Sequence, residues 1–230
     1  MPGICRRSLL LYTPPAHTPS RKPSRLPLAH ITRVCVRCTE EAKAAGCRFR
    51  TGPELEITGY GCEDSFLEGD TFAHSWESLA RLLSSDLTMG ILVDVGMPIL
   101  HKGVAYNFRV ILLDRCVIGI RPKLFLANDG NYREMRWFTP WHVDTHAAGP
   151  HYAFGALQEF QLPAVVLDAV DSTRQPSSGT VPIGIFAVQA FDAAVGFETC
   201  EELFTPSELL MASPSPIFNL IEAVRKLRVP

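Results

Sequence analysis

The stretch ILVDVGMPILHKGVAYNFRVILLDRCVIGIRP, residues 91–122, decides the fold class. Its β-branched and other apolar residues fall into three runs, ILVDVGMPIL (91–100), VAYNFRVILL (104–113) and CVIGIRP (116–122). Only His101–Gly103 and Asp114–Arg115 separate them, connections short enough to join neighbouring antiparallel strands. Upstream the period changes. Ile31, Val34, Cys35, Cys38, Ala42 and Ala45 recur at helical spacing and Gly46 supplies the stop. A strand is expected over Cys47–Glu56, a turn at Gly59–Tyr60, and a second amphipathic helix over Phe72–Leu83, with Leu79, Leu82 and Leu83 on one face.

Downstream, residues 126–160 are rich in Gly, Pro, His and aromatic side chains and read as a long loop carrying a short helix. Loops of that length in a compact domain usually serve function. Two further strands are expected, VPIGIFAVQ (181–189) and AAVGFETC (193–200), and a helix after Pro216. Two helices and at least five strands in this order imply an α/β or α+β layered domain.

The 230 residues are 47% hydrophobic and 20% charged, a globular composition able to bury a core. A net charge of −2 and a pI of about 6.4 give no reason to expect a nucleic acid or an anionic membrane as partner. The apolar runs fall well short of the roughly 20 residues that span a bilayer, so a soluble protein is expected. Seven cysteines at irregular spacing argue against a disulfide framework and for a reducing compartment. The Cys35–Cys38 C-x-x-C lies inside a helical pattern with no second pair and reads as coincidence. His142, His146 and His151 read as solvated loop residues, so no metal is expected. Residues 1–30 are Pro-, Ser- and Arg-rich, and no acid occurs before Glu40. They read as a disordered tail or a misplaced start, with a cytoplasmic location expected and a mitochondrial one as the alternative. Residues 31–206 form the expected domain, and 207–230 a divergent tail.

Three separated stretches carry candidate chemistry. In GFETCEELFTP (196–206), Cys200 sits at a turn after an apolar run. A structural cysteine would sit within the run; a reactive one would take the turn, where the Glu201 backbone N–H could bind an oxyanion. In TGPELEITGYG (51–61), Glu54 follows a proline among apolar neighbours. Desolvation there would raise its pKa toward that of a general base, the ordinary alternative being a capping or ion-paired carboxylate. In GIRPKLFLANDGNYREMRWFTPW (119–141), Lys123 ends a strand, where a lysine is commonly just solvated, and Glu134 lies in an aromatic loop. Together, a carboxylate base, a cation and a thiol are what acyl transfer from an amide requires. All three were expected at carboxyl ends of strands, the sheet edge where α/β folds place their sites.

These blocks, with DVGMPILHKGVAYNFRVILLDR (94–115) and VPIGIFAV (181–188), resemble the carbon–nitrogen hydrolase (nitrilase) superfamily, and within it the glutaminase domains of eukaryotic glutamine-dependent NAD(+) synthetases. The resemblance runs from about Ile31 to Pro206 and implies a nitrilase-like αββα sandwich. Residues 1–30 do not read as that fold's first strand, and residues after Pro206 do not read as its continuation, so an incomplete sandwich is expected. Residues 142–180 are Pro/Ala-rich where a more regular segment would stand and read as a retained intron or a shifted reading. The resemblance further implies that Glu54 is the general base, Cys200 the nucleophile that forms a thioester with glutamine, and that Lys123 and the Glu201 amide hold the oxyanion. Glu134 would orient the lysine or substrate, and Tyr132 would line the glutamine pocket. No cofactor is implied for this half, whereas ATP, Mg2+ and deamido-NAD belong to a synthetase domain whose S-G-G-x-D-S signature does not occur in the 230 residues. A homo-oligomer is implied for a complete chain. The alternatives are a stand-alone amidase of the same superfamily and an inactive fragment.

Overall fold

The computed structural model describes residues 28–142, 157–190 and 193–205. Residues 1–27, the C-terminal tail and the helix expected after Pro216 lie outside these residues, as do His146 and His151, whereas Leu28–His30, expected as part of the disordered tail, open helix α1; His142 is exposed. Helix α1 (Leu28–Ala44) turns Cys35, Thr39 and Ala42 inward, three and four residues apart. Gly46 ends it at φ +73°, a left-handed conformation that glycine adopts without strain. There the N–H groups of Gly46 and Cys47 satisfy the carbonyls of Lys43 and Ala42.

Strand β1 (Phe49–Thr51) follows, then a turn, and then helix α2 (Gly69–Leu83), whose Phe72, Trp76, Leu79 and Leu83 form the buried stripe. The central run folds as its pattern predicts, into β2 (Leu92–His101), β3 (Val104–Leu113) and β4 (Cys116–Pro122), all antiparallel. Lys102 and Gly103 both take positive φ at the first hairpin, Asp114 and Arg115 at the second. Such turns match the right-handed twist of the strands they join. The second contains no glycine, and hydrogen bonds hold it instead: Asp114 N–H donates to the Thr88 carbonyl (2.8 Å) and Arg115 N–H to Thr88 Oγ1 (2.9 Å).

Beyond β4 come α3 (Glu134–Trp137), β5 (Gln158–Gln161), α4 (Ala164–Leu167), β6 (Thr180–Ile183), β7 (Ala187–Ala190) and β8 (Ala193–Gly196). The six-stranded sheet has the order β1-β2-β3-β4-β6-β5, and β7-β8 form a separate hairpin. Alternation along the central strands divides the sheet into two faces. Val93, Val95, Met97 and Ile99 of β2 and Phe108, Val110 and Leu112 of β3 pack with Leu79, Leu82 and Leu83 of α2. Each fully buried aliphatic side chain there contributes roughly 1.5–3 kcal/mol. The opposite face is mixed: Leu92, Ile111 and Leu113 pack under Phe186, Val188 and Phe197, while Asp94, Gly96, Asn107, Arg109, Arg121 and Lys123 occupy the intervening positions. This layering is an incomplete sandwich among the described residues, and the polar half of the second face carries the candidate site.

Four expectations need correction. The strand expected over Cys47–Glu56 stops at Thr51, because Pro53 carries no N–H for a ladder and Leu55 turns the chain at φ +50°. The run 181–189 is two strands rather than one. The chain leaves the sheet at Gly184, whose N–H still donates to the Ile120 carbonyl (3.0 Å), and Phe186 lies across Gly119, where a Cβ would come within 2.6 Å of the ring. The strand expected over 193–200 ends at Gly196, and Cys200 opens a short 3-10 turn to Leu203. The stretch expected as a continuous loop to residue 160 contains β5 at its end.

Candidate active site

Gly52–Gly59 is a compact turn pressed onto the polar face of β2. Gly52 N–H donates to the Asp94 carbonyl (2.9 Å), Ile57 N–H to the Gly96 carbonyl (3.0 Å) and Gly59 N–H to the Leu55 carbonyl (2.7 Å). The approach is close enough to require glycine at position 96, where a Cβ would stand 2.6 Å from Leu55 N and 2.7 Å from the Pro53 oxygen. Two buried ion pairs brace the turn. Arg50 holds Glu56, and Arg109 forks onto both Asp94 oxygens (2.7 and 2.5 Å) while also donating to the Gly52 carbonyl (2.7 Å). The result fixes Glu54 over the sheet with its side chain 13% exposed.

Lys123 is 2% exposed, against the solvated position a strand-end lysine ordinarily takes. Its Nζ lies 2.6 Å from Glu54 Oε1 and 2.6 Å from Glu134 Oε2. Glu134, fully buried at the start of α3, also accepts the Ala127 N–H (2.6 Å). Asn107 Nδ2 completes the cluster, donating to Glu54 Oε1 (2.5 Å) and Glu134 Oε1 (2.9 Å).

One lysine between two carboxylates leaves a surplus negative charge in a buried place. Burial, the largest influence, and the neighbouring Glu134 overcome the attraction of Lys123 and push the Glu54 pKa up to about 7. The Lys123 pKa is raised as well: burial opposes its charge, but the two glutamates outweigh burial and hold it protonated. The site thus joins a firmly charged cation to a carboxylate that gains and loses a proton near neutrality.

Cys200 is the exposed cysteine of this region and takes φ +49°, a conformation that is strained for a residue with a Cβ and is found preferentially at functional turns. Its thiol lies within the fields of Glu54, Lys123 and Glu134. Burial and then Glu54 raise its pKa, opposed by Lys123 and by the Glu201 backbone N–H. The resting group is therefore a thiol that needs a base. Glu202 ties this turn to the lysine segment: its carboxylate accepts from Arg121 Nη1 (2.5 and 2.6 Å), Leu124 N–H (2.6 Å) and Thr199 N–H (2.6 Å).

The structure thus brings Glu54, Lys123 and Glu134 into contact and sets the Cys200 thiol in their field. Tyr132 is half exposed, its ring edge-on to Tyr60 at 5.9 Å. Tyr60 has a buried hydroxyl without a partner, and burial, Glu134, Glu54 and Cys200 all raise its pKa. Asn107, Glu202 and the bracing pairs Arg50–Glu56 and Arg109–Asp94 escaped the sequence reading. The available signal was a polar side chain interrupting an apolar strand, as Asp94, Asn107, Arg109 and Arg121 do. Among the described residues no group of three His, Cys, Asp or Glu side chains could hold a metal ion, and no helix is long and apolar enough to cross a membrane.

Residues 26–215 match the carbon-nitrogen hydrolase family. The glutamine-dependent NAD(+) synthetase of Saccharomyces cerevisiae is 47% identical over 165 residues, which are 72% of this chain and 21% of that protein. The human enzyme of the same name is 47% identical over 171 residues, 74% of this chain and 22% of its own length. The chain therefore spans about a fifth of the length of these curated relatives. A crystal structure of a glutamine-dependent NAD(+) synthetase from Cytophaga hutchinsonii superimposes with a TM-score of 0.62 at 28% identity, covering 77% of this chain and 26% of that one.

Proposed function

The chain belongs to the carbon–nitrogen hydrolase family, and from that premise we propose that it carries the ammonia-releasing chemistry of a glutamine-dependent NAD(+) synthetase. Glu54 takes the proton of the Cys200 thiol, and the sulfur attacks the side-chain amide carbon of glutamine. The carbonyl oxygen gains negative charge, which Lys123 and the Glu201 amide stabilise. The C–N bond then breaks, and the proton held by Glu54 leaves with the nitrogen as ammonia. A water that gives its proton to Glu54 attacks the thioester, the C–S bond breaks, Glu54 returns the proton to the Cys200 sulfur, and the product acid leaves as glutamate after losing its own proton to solvent. The ammonia would pass to a synthetase domain in which ATP and Mg2+ activate deamido-NAD.

The observation that carries this reading is Lys123 Nζ at 2.6 Å from two glutamates, of which Glu54 titrates near neutrality beside a protonated thiol. The test is ammonia and glutamate release from glutamine by the full chain, with acetamide and propionamide as competing substrates. Turnover confined to glutamine and lost in Cys200→Ala, but retained in Cys35→Ala and Cys62→Ala, is the expected result. Equal tolerance of all three substitutions, or a preference for the simple amides, would overturn the reading.

A further inference from the structure

Asn107 stands in the middle of β3 and is 1% exposed. A polar residue in the interior of a central strand costs stability unless its hydrogen bonds are made. Asn107 makes them in an unequal way. Its Nδ2 donates to one oxygen of each glutamate, at 2.5 Å and 2.9 Å, while its Oδ1 is buried without a partner. The orphaned oxygen is the cost of committing the nitrogen to the two carboxylates.

Among the described residues, the nearby buried arginines are each held by a carboxylate. Arg50 is paired with Glu56, Arg109 with Asp94, and Arg121 with Glu202. The groups that face Glu54 directly are Lys123, Glu134, Tyr60 and Cys200. Asn107 is a neutral amide that donates to Glu54 directly, and an amide N–H stabilises the ionised carboxylate more than the protonated one. Burial and the repulsion of Glu134 drive Glu54 toward the proton-bound form, and the Asn107 amide works against them.

We propose that Asn107 is a positioning residue that bridges Glu54 and Glu134 and lowers the pH at which Glu54 becomes a base. This assignment rests on the proposed role of Glu54 in amide hydrolysis. A hydrogen bond to a charged acceptor is stronger than one between neutral groups, and the nitrogen here is shared between two acceptors. Its removal is therefore expected to move the ionisation of Glu54 upward by about one pH unit, a tenfold change in the basic fraction at a given acid pH.

The experiment measures the acid limb of kcat/KM for glutamine, and separately the acid limb of Cys200 alkylation by iodoacetamide mapped to that residue. Both are followed in wild type, Asn107→Leu and Asn107→Asp. The leucine variant removes the donor; the nearly isosteric aspartate replaces it with an acceptor and adds like charge, so it keeps the test sound if the leucine variant does not melt cooperatively. Expected are limbs displaced to higher pH in both variants, further for aspartate, with activity largely regained at alkaline pH. Limbs coinciding with wild type, with a loss equal at every pH, would reduce Asn107 to a packing role and overturn the assignment. Displaced alkylation limbs without glutamine turnover in any form would sustain the role of Asn107 and count against glutamine as substrate, so the two failures are distinguishable.

Discussion

Buried charges occur in two arrangements on the same face of this sheet. At Arg50–Glu56 and Arg109–Asp94 each cation meets one carboxylate, and the pair is closed. At Lys123 one cation meets two, Glu54 and Glu134, both at 2.6 Å. The closed pairs brace the turn that carries Glu54. In the unbalanced triad, burial first and then the second carboxylate, Glu134, push the Glu54 pKa up to about 7, so Glu54 takes up a proton near neutrality. Structure is built from balanced charge here, and proton transfer from imbalance.

The comparison is broken most severely by Cys200→Ala, which leaves the triad intact but removes the nucleophile. Amide hydrolysis should fall by 10³-fold or more, on the order seen when one member of a catalytic unit is lost, with an unchanged melting temperature. Glu54→Gln sharpens the contrast, since it converts the triad into a closed Lys123–Glu134 pair. Turnover should fall nearly as far, while thermal unfolding should show a stability equal to or above wild type. The sign follows from linkage. The folded pKa of Glu54 lies above its ordinary 4.5, so the native state holds the extra proton between that value and about 7. Stability is lost as pH rises through that window, and the glutamine variant should lack this loss in melts taken from pH 5 to pH 8.

Breaking a closed pair should do the reverse. Arg109→Met strands the buried Asp94 and should cost about 3–5 kcal/mol by denaturant titration, a loss largely recovered in the Arg109→Met, Asp94→Leu double variant. A double variant as unstable as the single one would show that the Arg109 bond to the Gly52 carbonyl, and not the ion pair, carries the loss.

The sequence made some of these features legible and hid others. The strands of residues 91–122 are readable because alternation and two-residue turns are local. The helices α1 and α2 are readable because their stripes are. Glu54, Lys123, Glu134 and Cys200 stand out because chemistry-bearing residues at the ends of apolar runs fall in blocks with a family likeness. Burial of Lys123 could not be read in the same way, since a lysine after a strand is ordinarily solvated and its two acceptors lie 69 and 11 residues away. Glu202 presents the same problem, its partner Arg121 being 81 residues distant. The break at Gly184 was hidden too, because Phe186 continues the apolar pattern and only Gly119, on another strand, reveals where the ring goes.

Milder effects separate the two arrangements further. Wild-type kcat/KM should drop about tenfold per pH unit below pH about 7, as Glu54 takes its proton. A flat profile down to pH 5 would remove Glu54 as the base. Gly96→Ala should displace the turn that carries Glu54 by a fraction of an ångström and lower kcat roughly tenfold with little change in KM. If that variant kept full activity, the close packing of the turn on β2 would be a matter of stability alone.

The most direct test of the account is covalent labelling with a glutamine-mimicking diazo-ketone, read by intact mass on wild type, Cys200→Ala and Glu54→Gln. The account predicts one adduct on wild type, none on Cys200→Ala, and strongly slowed labelling of Glu54→Gln. An adduct that survives in Cys200→Ala, or a folded wild-type chain that takes no label, would contradict the assembly of Glu54, Lys123, Glu134 and Cys200 into one working site.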